Sequence, residues 1–209
     1  MKLKKSCLLL AAISSFSALS APVDWSESPV DGSTDSASAA IQFEASVPTI
    51  LDGQWVTFTG ESGGTLKSGH FDVSADGQFS TSTPVVLELH YYDPVSTETG
   101  DMVSLDDKLG GIAGFGGVKI SKLAYQVTDI DFVAESPSTD VSTAEANIKV
   151  NDVLVTPNTE IDSSLLGSIP AQTSWDISNK SKATVFGHVA AGDTISATAT
   201  VTADLDFAS

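Results

Sequence analysis

Residues 194–207, near the C-terminal end, alternate strictly between apolar and polar side chains. The polar positions hold threonine, serine or aspartate, and the apolar positions are Ile195, Ala197, Ala199, Val201, Ala203, Leu205 and Phe207. Successive side chains of an extended strand point to opposite faces, so a period of two places every apolar residue on one face. The run therefore predicts a long β-strand with one buried face.

A second alternation lies near the N-terminal end, over residues 39–50. Its apolar positions are Ala39, Ile41, Phe43, Ala45 and Val47. Pro48 has no N–H group to give to a strand ladder, so the strand should end there. Residues 21–38 before it are rich in serine, aspartate and glycine, and we interpret them as a polar extension that links the N-terminus to the strand.

The chain between these two runs holds further strand patterns and no amphipathic helix of three turns. Strands are predicted over residues 54–59, 69–74, 85–92, 118–133 and 146–155, with short ones at 175–177 and 183–186. Asp76-Gly77 predicts a tight turn, residues 93–117 an irregular segment, and residues 163–166 a short helix. So many short strands separated by turns predict an all-β sandwich that forms one domain over residues 51–209.

The N-terminal residues 1–20 have the features of a targeting segment. Lys2, Lys4 and Lys5 form a basic start, an apolar stretch follows, and small residues end it at Ser20. This order is typical of a cleaved signal peptide. We therefore expect export, and Cys7, the one cysteine of the chain, to be removed with the segment.

The charge of the chain argues against nucleic acid as a partner. It has 27 acidic residues against 10 basic ones, all of them lysine, and a formal net charge of −17. Phosphate backbones are bound through Lys and Arg. A calcium loop would need clustered, regularly spaced oxygen ligands. Asp129 and Asp131, like Asp204 and Asp206, instead alternate with apolar residues as on the wet face of a strand, so we predict no metal.

The motif Gly60-Glu61-Ser62-Gly63-Gly64 satisfies the G-x-S-x-G pattern of serine hydrolases. In those enzymes it connects a strand to a helix. Here another strand pattern follows, which favours a plain turn. A triad also needs a histidine, and the sequence assigns no partner to His70, His90 or His188. We therefore predict no enzyme and no cofactor.

Two short segments carry a resemblance to a family. Residues 41–50, Ile-Gln-Phe-Glu-Ala-Ser-Val-Pro-Thr-Ile, resemble the mature N-terminus of the major pilins of colonisation-factor fimbriae. Residues 69–73, Gly-His-Phe-Asp-Val, are similar to a segment of the related common-pilus major subunit. Both families belong to the alternate class of chaperone–usher pilins, which are typically free of disulfides.

The resemblance implies an incomplete immunoglobulin-like β-sandwich that is completed by a donated N-terminal strand. It also implies a periplasmic chaperone, an outer-membrane usher, head-to-tail pairing with neighbouring pilin subunits, and a cell-surface fimbria that supports adhesion to a host or surface receptor. Residues 39–50 would be the donor strand, with Ile41, Phe43, Ala45 and Val47 as the plugs. The strand of residues 194–207 would flank the acceptor groove.

Two alternatives stay open. Because residues 21–38 precede the strand, the donor could instead lie around Pro22 to Val30, where Val23 and Trp25 alternate, with residues 39–50 as the domain's own first strand. The chain could also be a self-contained secreted β-sandwich that binds a carbohydrate or a surface. Trp25, Trp55 and Trp175 are the candidate stacking residues for a sugar, although tryptophan is more often buried in a core or an interface.

Overall fold

The computed structural model describes residues 29–42, 50–105 and 118–208. The predicted targeting segment, the plugs Phe43, Ala45 and Val47, and the alternative donor up to residue 28 lie outside these ranges. So does the glycine-rich run 109–117.

The described residues form fourteen strands and two short 3₁₀ turns, Glu61–Gly63 and Ser163–Leu165. The strands are β1 Thr34–Gln42, β2 Ile50–Leu51, β3 Val56–Thr59, β4 His70–Val73, β5 Phe79–Thr83, β6 Val85–Asp93, β7 Glu98–Met102, β8 Lys119–Val127, β9 Asp131–Ala134, β10 Ala146–Val150, β11 Val153–Val155, β12 Ile161–Asp162, β13 Gln172–Asn179 and β14 Ile195–Ala208. The all-β class is confirmed.

The strands form two sheets, and every pairing between strands is antiparallel. The first sheet has the order β12-β8-β14-β1-β2, with β9 beside the start of β14. In the second sheet β11, β10 and β13 follow one another, β13 then pairs with both β5 and β6, and β4, β3 and β7 complete it. Two sheets are what a β-sandwich requires.

The two strongest strand patterns are confirmed. β14 buries Ala197, Ala199, Val201, Ala203, Leu205 and Phe207 on one face, and Ile195 at its start is half-buried. β6 buries side chains on both faces along most of its length, and β3, β7 and β13 pair with its edges. Between the sheets lie the largest buried side chains, among them Trp175, Tyr125 and Phe58.

An aromatic cluster joins the two sheets at one end. Phe79 of β5 stacks on Phe186 at 4.6 Å between ring centroids and meets Phe132 of β9 edge-on at 5.2 Å. Phe186 lies in a loop, so the strand predicted over residues 183–186 is wrong. Its backbone N–H donates to Gly77 O at 3.0 Å, which ties this loop to the β4–β5 turn instead of to a sheet.

Other strands also differ from the sequence prediction. The single strands predicted over residues 118–133 and 146–155 are each two strands, β8 with β9 and β10 with β11, and β12 was not predicted. β5 was not predicted, and β7 lies inside a segment predicted to be irregular. β1 begins at Thr34, so residues 34–38 are strand and not part of a linker. Alanine at position 37 provides the inward side chain there, and it is 2% exposed. Serine and aspartate on both sides of it hid this short apolar alternation.

Candidate functional site

β1 lies between the C-terminal strand β14 and the short strand β2. Its ladder with β14 is continuous, from Thr34 opposite Asp206 to Gln42 opposite Thr198. On its other edge only Ser38 and Ala39 pair with β2, opposite Leu51 and Ile50. The strand predicted to be donated and the strand predicted to flank the acceptor groove are therefore direct neighbours within one chain.

The inward row of β1 is made of small side chains. Ala37 and Ala39 are 2% and 1% exposed and lie opposite Ala203 and Val201. Of the predicted plugs, the structure describes the backbone of Ile41, which pairs with Ala199. All seven residues predicted for the acceptor strand lie in β14, on the strand whose other edge pairs with β8 and β9.

Asp35 ends the inward row, opposite Leu205. Its carboxylate accepts hydrogen bonds from the backbone N–H groups of Gln54 at 3.0 Å and Trp55 at 2.8 Å. Burial raises the pKa of Asp35 above its ordinary value, although these backbone hydrogen bonds act in the opposite direction. The sequence prediction missed this residue because it fell in the supposed linker.

Gly53 allows this contact. A Cβ atom at Gly53 would lie 2.6 Å from Ser36 O and 2.8 Å from the Asp35 carboxylate, which is closer than real Cβ contacts. The turn before β3 can therefore approach β1 only with glycine at this position. Residues 53–55 and β1 thus form one close-fitting unit.

We call the space that β1 occupies beside β14 and against β3 the groove. Its far wall comes from the second sheet and the end of β14. Val56 and Phe58 of β3 are buried, and Trp55 packs edge-on against Phe207 at 5.4 Å between ring centroids. In the described part of the chain, Trp55 Nε1 and Ser33 Oγ are buried without a hydrogen-bond partner. This end of the groove therefore combines apolar contacts with two unsatisfied polar atoms.

Residues 60–64 form a 3₁₀ turn, and a buried carboxylate holds it. Glu88 Oε2 accepts from Gly63 N at 3.0 Å and from His90 Nε2 at 3.1 Å, and Oε1 accepts from Gln172 Nε2 at 2.8 Å. Burial raises the pKa of Glu88, but hydrogen bonds from Ser62 N and these groups outweigh it and leave the pKa below its ordinary value.

The structure thus gives His90 a partner that the sequence did not assign. His90 Nδ1 lies 2.9 Å from Gly100 O, so both ring nitrogens face acceptor oxygens. His70 lies on the edge strand β4 and His188 in a loop. Within the described ranges, no three His, Cys, Asp or Glu residues form a group that could hold a metal.

Two of the three candidate sugar-stacking tryptophans are core residues. Trp175 is fully buried, with its Nε1 donating to Thr173 Oγ1 at 2.9 Å, and Trp55 is 8% exposed. Trp25 lies outside the described residues. Across the same ranges, no helix has the length and apolar character needed to cross a bilayer.

Comparisons of the chain with protein-family models, with curated proteins and with solved structures found no match.

Proposed function

We propose that this chain is a structural subunit of a surface fimbria that lends its N-terminal strand to the next subunit. The supporting observation is the position of β1, which covers the apolar edge between β14 and β3. On this proposal the subunit is exported through the periplasm, and a chaperone and an usher assemble it into a fibre. The sandwich is then of the incomplete immunoglobulin-like type.

The chemistry of the β1 seat suits strand addition between chains. Main-chain hydrogen bonds along an open edge supply affinity, and alternate side chains that fill pockets supply specificity. Without β1, nine residues of β14 would lose their ladder partner, and Val201, Leu205 and Phe58 would lose their cover. An exposed strand edge of this length is aggregation-prone, so a chaperone is needed while β1 is exchanged between chains.

The length of the segment between Ala39 and Ile50 favours pairing of the later plugs, Phe43, Ala45 and Val47, with a neighbouring copy. Continued in the same register, Phe43 would lie opposite Ala197 and Ala45 opposite Ile195, on an edge of β14 where the described residues provide no strand partner. Within one chain, however, β2 must return to Ala39 by Ile50. The strand from Ala39 to Ala45 covers six residue steps, or about 20 Å. The five steps from Ala45 back to Ile50 cover at most about 18 Å, even without a turn.

A strand from another copy has no such limit, so the proposal seats Ala45 on a neighbour's β14. A surface depression of about 570 Å³ adjoins the start of β14 and is lined by Phe71, Val73, Val189 and Ile195 among others. Its lining mixes these apolar side chains with polar ones, among them Asp72, Ser74 and Asp193. Head-to-tail lending of this kind does not close on itself, so it produces a fibre.

Ala45→Asp tests this proposal. Because Ala45 is seated only between chains, the variant should keep the export and melting temperature of the monomer and lose fibres in electron micrographs of the cell surface. Glu44→Gln, one position away and off the inward row, is the matched control and should assemble normally. Normal fibres from Ala45→Asp would contradict the assignment of the donor strand.

A self-contained secreted binding module is the second candidate. The observation in its favour is that β1 already completes the first sheet within its own chain. On that account Ala45→Asp and the unchanged chain are both stable monomers, and neither forms fibres. The alternative donor around Pro22 to Val30 predicts fibres from both.

A further inference from the structure

The hydrophobic pattern of the N-terminal run does not by itself define one register on β14. Apolar side chains occupy every second position from Ala37 to Val47. A slip of two residues keeps the same face toward the core, so several pairings would still bury apolar side chains. A strand that is exchanged between molecules needs a feature that selects one of them.

We propose that Asp35 is the positioning residue that sets the register of β1 on β14. This inference rests on the proposed function when the strand is lent, and it applies equally to the strand within its own chain. In the observed register the carboxylate meets the N–H groups of Gln54 and Trp55. Gly53 makes these groups accessible, because any Cβ there would displace the turn from β1.

A two-residue slip in either direction is unfavourable because of the Asp35 carboxylate. If β1 moves toward the N-terminal end of β14, Asp35 comes to lie opposite Ala203, where the seat is now filled by the buried Ala37. A carboxylate there would be buried without its partners. If β1 moves the other way, Asp35 leaves Gln54 and Trp55, and their N–H groups lose their acceptor.

Side-chain size also disfavours one of the slipped registers. In the second of these slips Ile41 would enter the seat opposite Val201, which now holds Ala39. That seat is closed around a small side chain, because Ala39 is 1% exposed. Overfilling a packed site displaces its neighbours and is destabilising.

Asp35 is better explained by specificity than by stability. Its raised pKa shows that the folded protein disfavours the charged form relative to water, because the carboxyl group is largely buried. A polar group that is retained in an apolar seam at a cost in stability, and that fixes the register, is known from coiled coils. The hydrogen bonds from Gln54 and Trp55 reduce the cost of burying the Asp35 carboxylate, and they form only in the observed register.

Cysteine pairs on the outward face can report the register directly. Phe207 N donates to Ser33 O, so odd-numbered positions of β1 belong to hydrogen-bonded pairs and even-numbered ones to the closer, non-hydrogen-bonded pairs. Cα atoms in such pairs are close enough for a disulfide. With Ser38→Cys in a Cys7→Ser background, Thr202→Cys reports the observed register, and Thr200→Cys and Asp204→Cys report the two slips.

The experiment equilibrates the full-length variants in a glutathione redox buffer and identifies the linked cysteine peptides by mass spectrometry. With Asp35 present, the 38–202 link should dominate. Asp35→Ala should raise the 38–200 link about tenfold, because the slipped strand no longer buries a carboxylate. Asp35→Asn, which keeps a polar acceptor, should retain the native register, and Asp131→Asn, an exposed carboxylate on β9, should change nothing.

An unchanged pattern of links in Asp35→Ala, with a native circular dichroism spectrum, would overturn the proposal. If Asp35→Ala does not fold, Asp35→Ser, whose shorter side chain does not reach the turn, is read in the same way. The mass of the linked peptides reports the register whether the disulfide forms within or between chains. A failure of strand lending would therefore leave the result on Asp35 intact.

Discussion

At the scale of single residues, Glu88 shows how a buried charge can organise a turn. Its donors come from the 3₁₀ turn of residues 61–63, from His90 on the same strand and from Gln172 on β13. A carboxylate satisfied by several donors is stabilised in its charged form. The G-x-S-x-G segment therefore has a structural explanation in the anchoring of its backbone to Glu88.

Glu88→Gln should destabilise the protein at neutral pH by about 1–3 kcal/mol, because Gly63 N and His90 lose a charged acceptor. The pKa of Glu88 is lowered in the folded state, so its stabilisation is present above the ordinary glutamate pKa and is lost as pH falls through the lowered value. The difference between the two proteins should therefore shrink in acid.

Urea unfolding at a series of pH values measures this difference, with Glu98→Gln, an exposed glutamate on β7, as the control. A difference between Glu88→Gln and the unchanged chain that stays constant at every pH would show that the carboxylate charge is not involved.

At the scale of elements, the β4–β5 turn depends on Gly77. Gly77 has φ +81°, and a Cβ atom there would lie 1.9 Å from Phe186 O. Gly77→Ala should cost more than the roughly 1–2 kcal/mol of the left-handed conformation alone, because Phe186 and the aromatic cluster must also move.

Gly192→Ala is a matched control, since Gly192 has φ +80° and nothing lies within 4 Å of the position that a Cβ atom would take there. The gap between the two melting temperatures isolates the steric part of the cost. Equal destabilisation by the two substitutions would mean that the contact with Phe186 is unimportant.

The elements that the sequence predicted well are those whose pattern is carried by many residues. Long alternation in β14 and the apolar run of β6 leave one interpretation. β5 and β7 consist mostly of serine, threonine and charged residues, and they are strands because β13 and β6 offer them an edge. No local pattern signals the pairing of β5 with β13, which lies far along the chain, whereas β7 pairs with the adjacent strand β6 in a hairpin.

For the candidate site, too, one part could be predicted from the sequence and another could not. The structure pairs β1 with β14 within one chain, as expected if residues 39–50 belong to the domain's own first strand, and their lending to a neighbour stays a prediction. Asp35 could not be found, because its role depends on two backbone N–H groups about twenty residues away. Glu88 and His90 were equally hidden, since their contacts with Gly63 and Gly100 arise only when the strands are in place.

At the scale of the whole molecule, strand lending requires β1 to leave its own β14 and to pair with a neighbour's. β1 pairs with β14 in one register over an apolar core, and no described residue pairs with residues 195–197 of β14 on the β1 side. These features fit a strand that pairs within the chain before assembly and between chains afterwards. On the proposal, the two states differ in which molecule supplies β1 and in whether Ala45 is seated on β14.

A single disulfide distinguishes these states. Ser38→Cys with Thr202→Cys, in a Cys7→Ser background, links β1 to β14, whereas Gln126→Cys with Thr202→Cys links β14 to β8 on its other edge and must stay within one chain. Protein collected from the surface of the cells that make it would be oxidised and separated on a non-reducing gel. We expect a ladder of multimers from the first pair and monomer from the second; monomer from both would contradict strand lending.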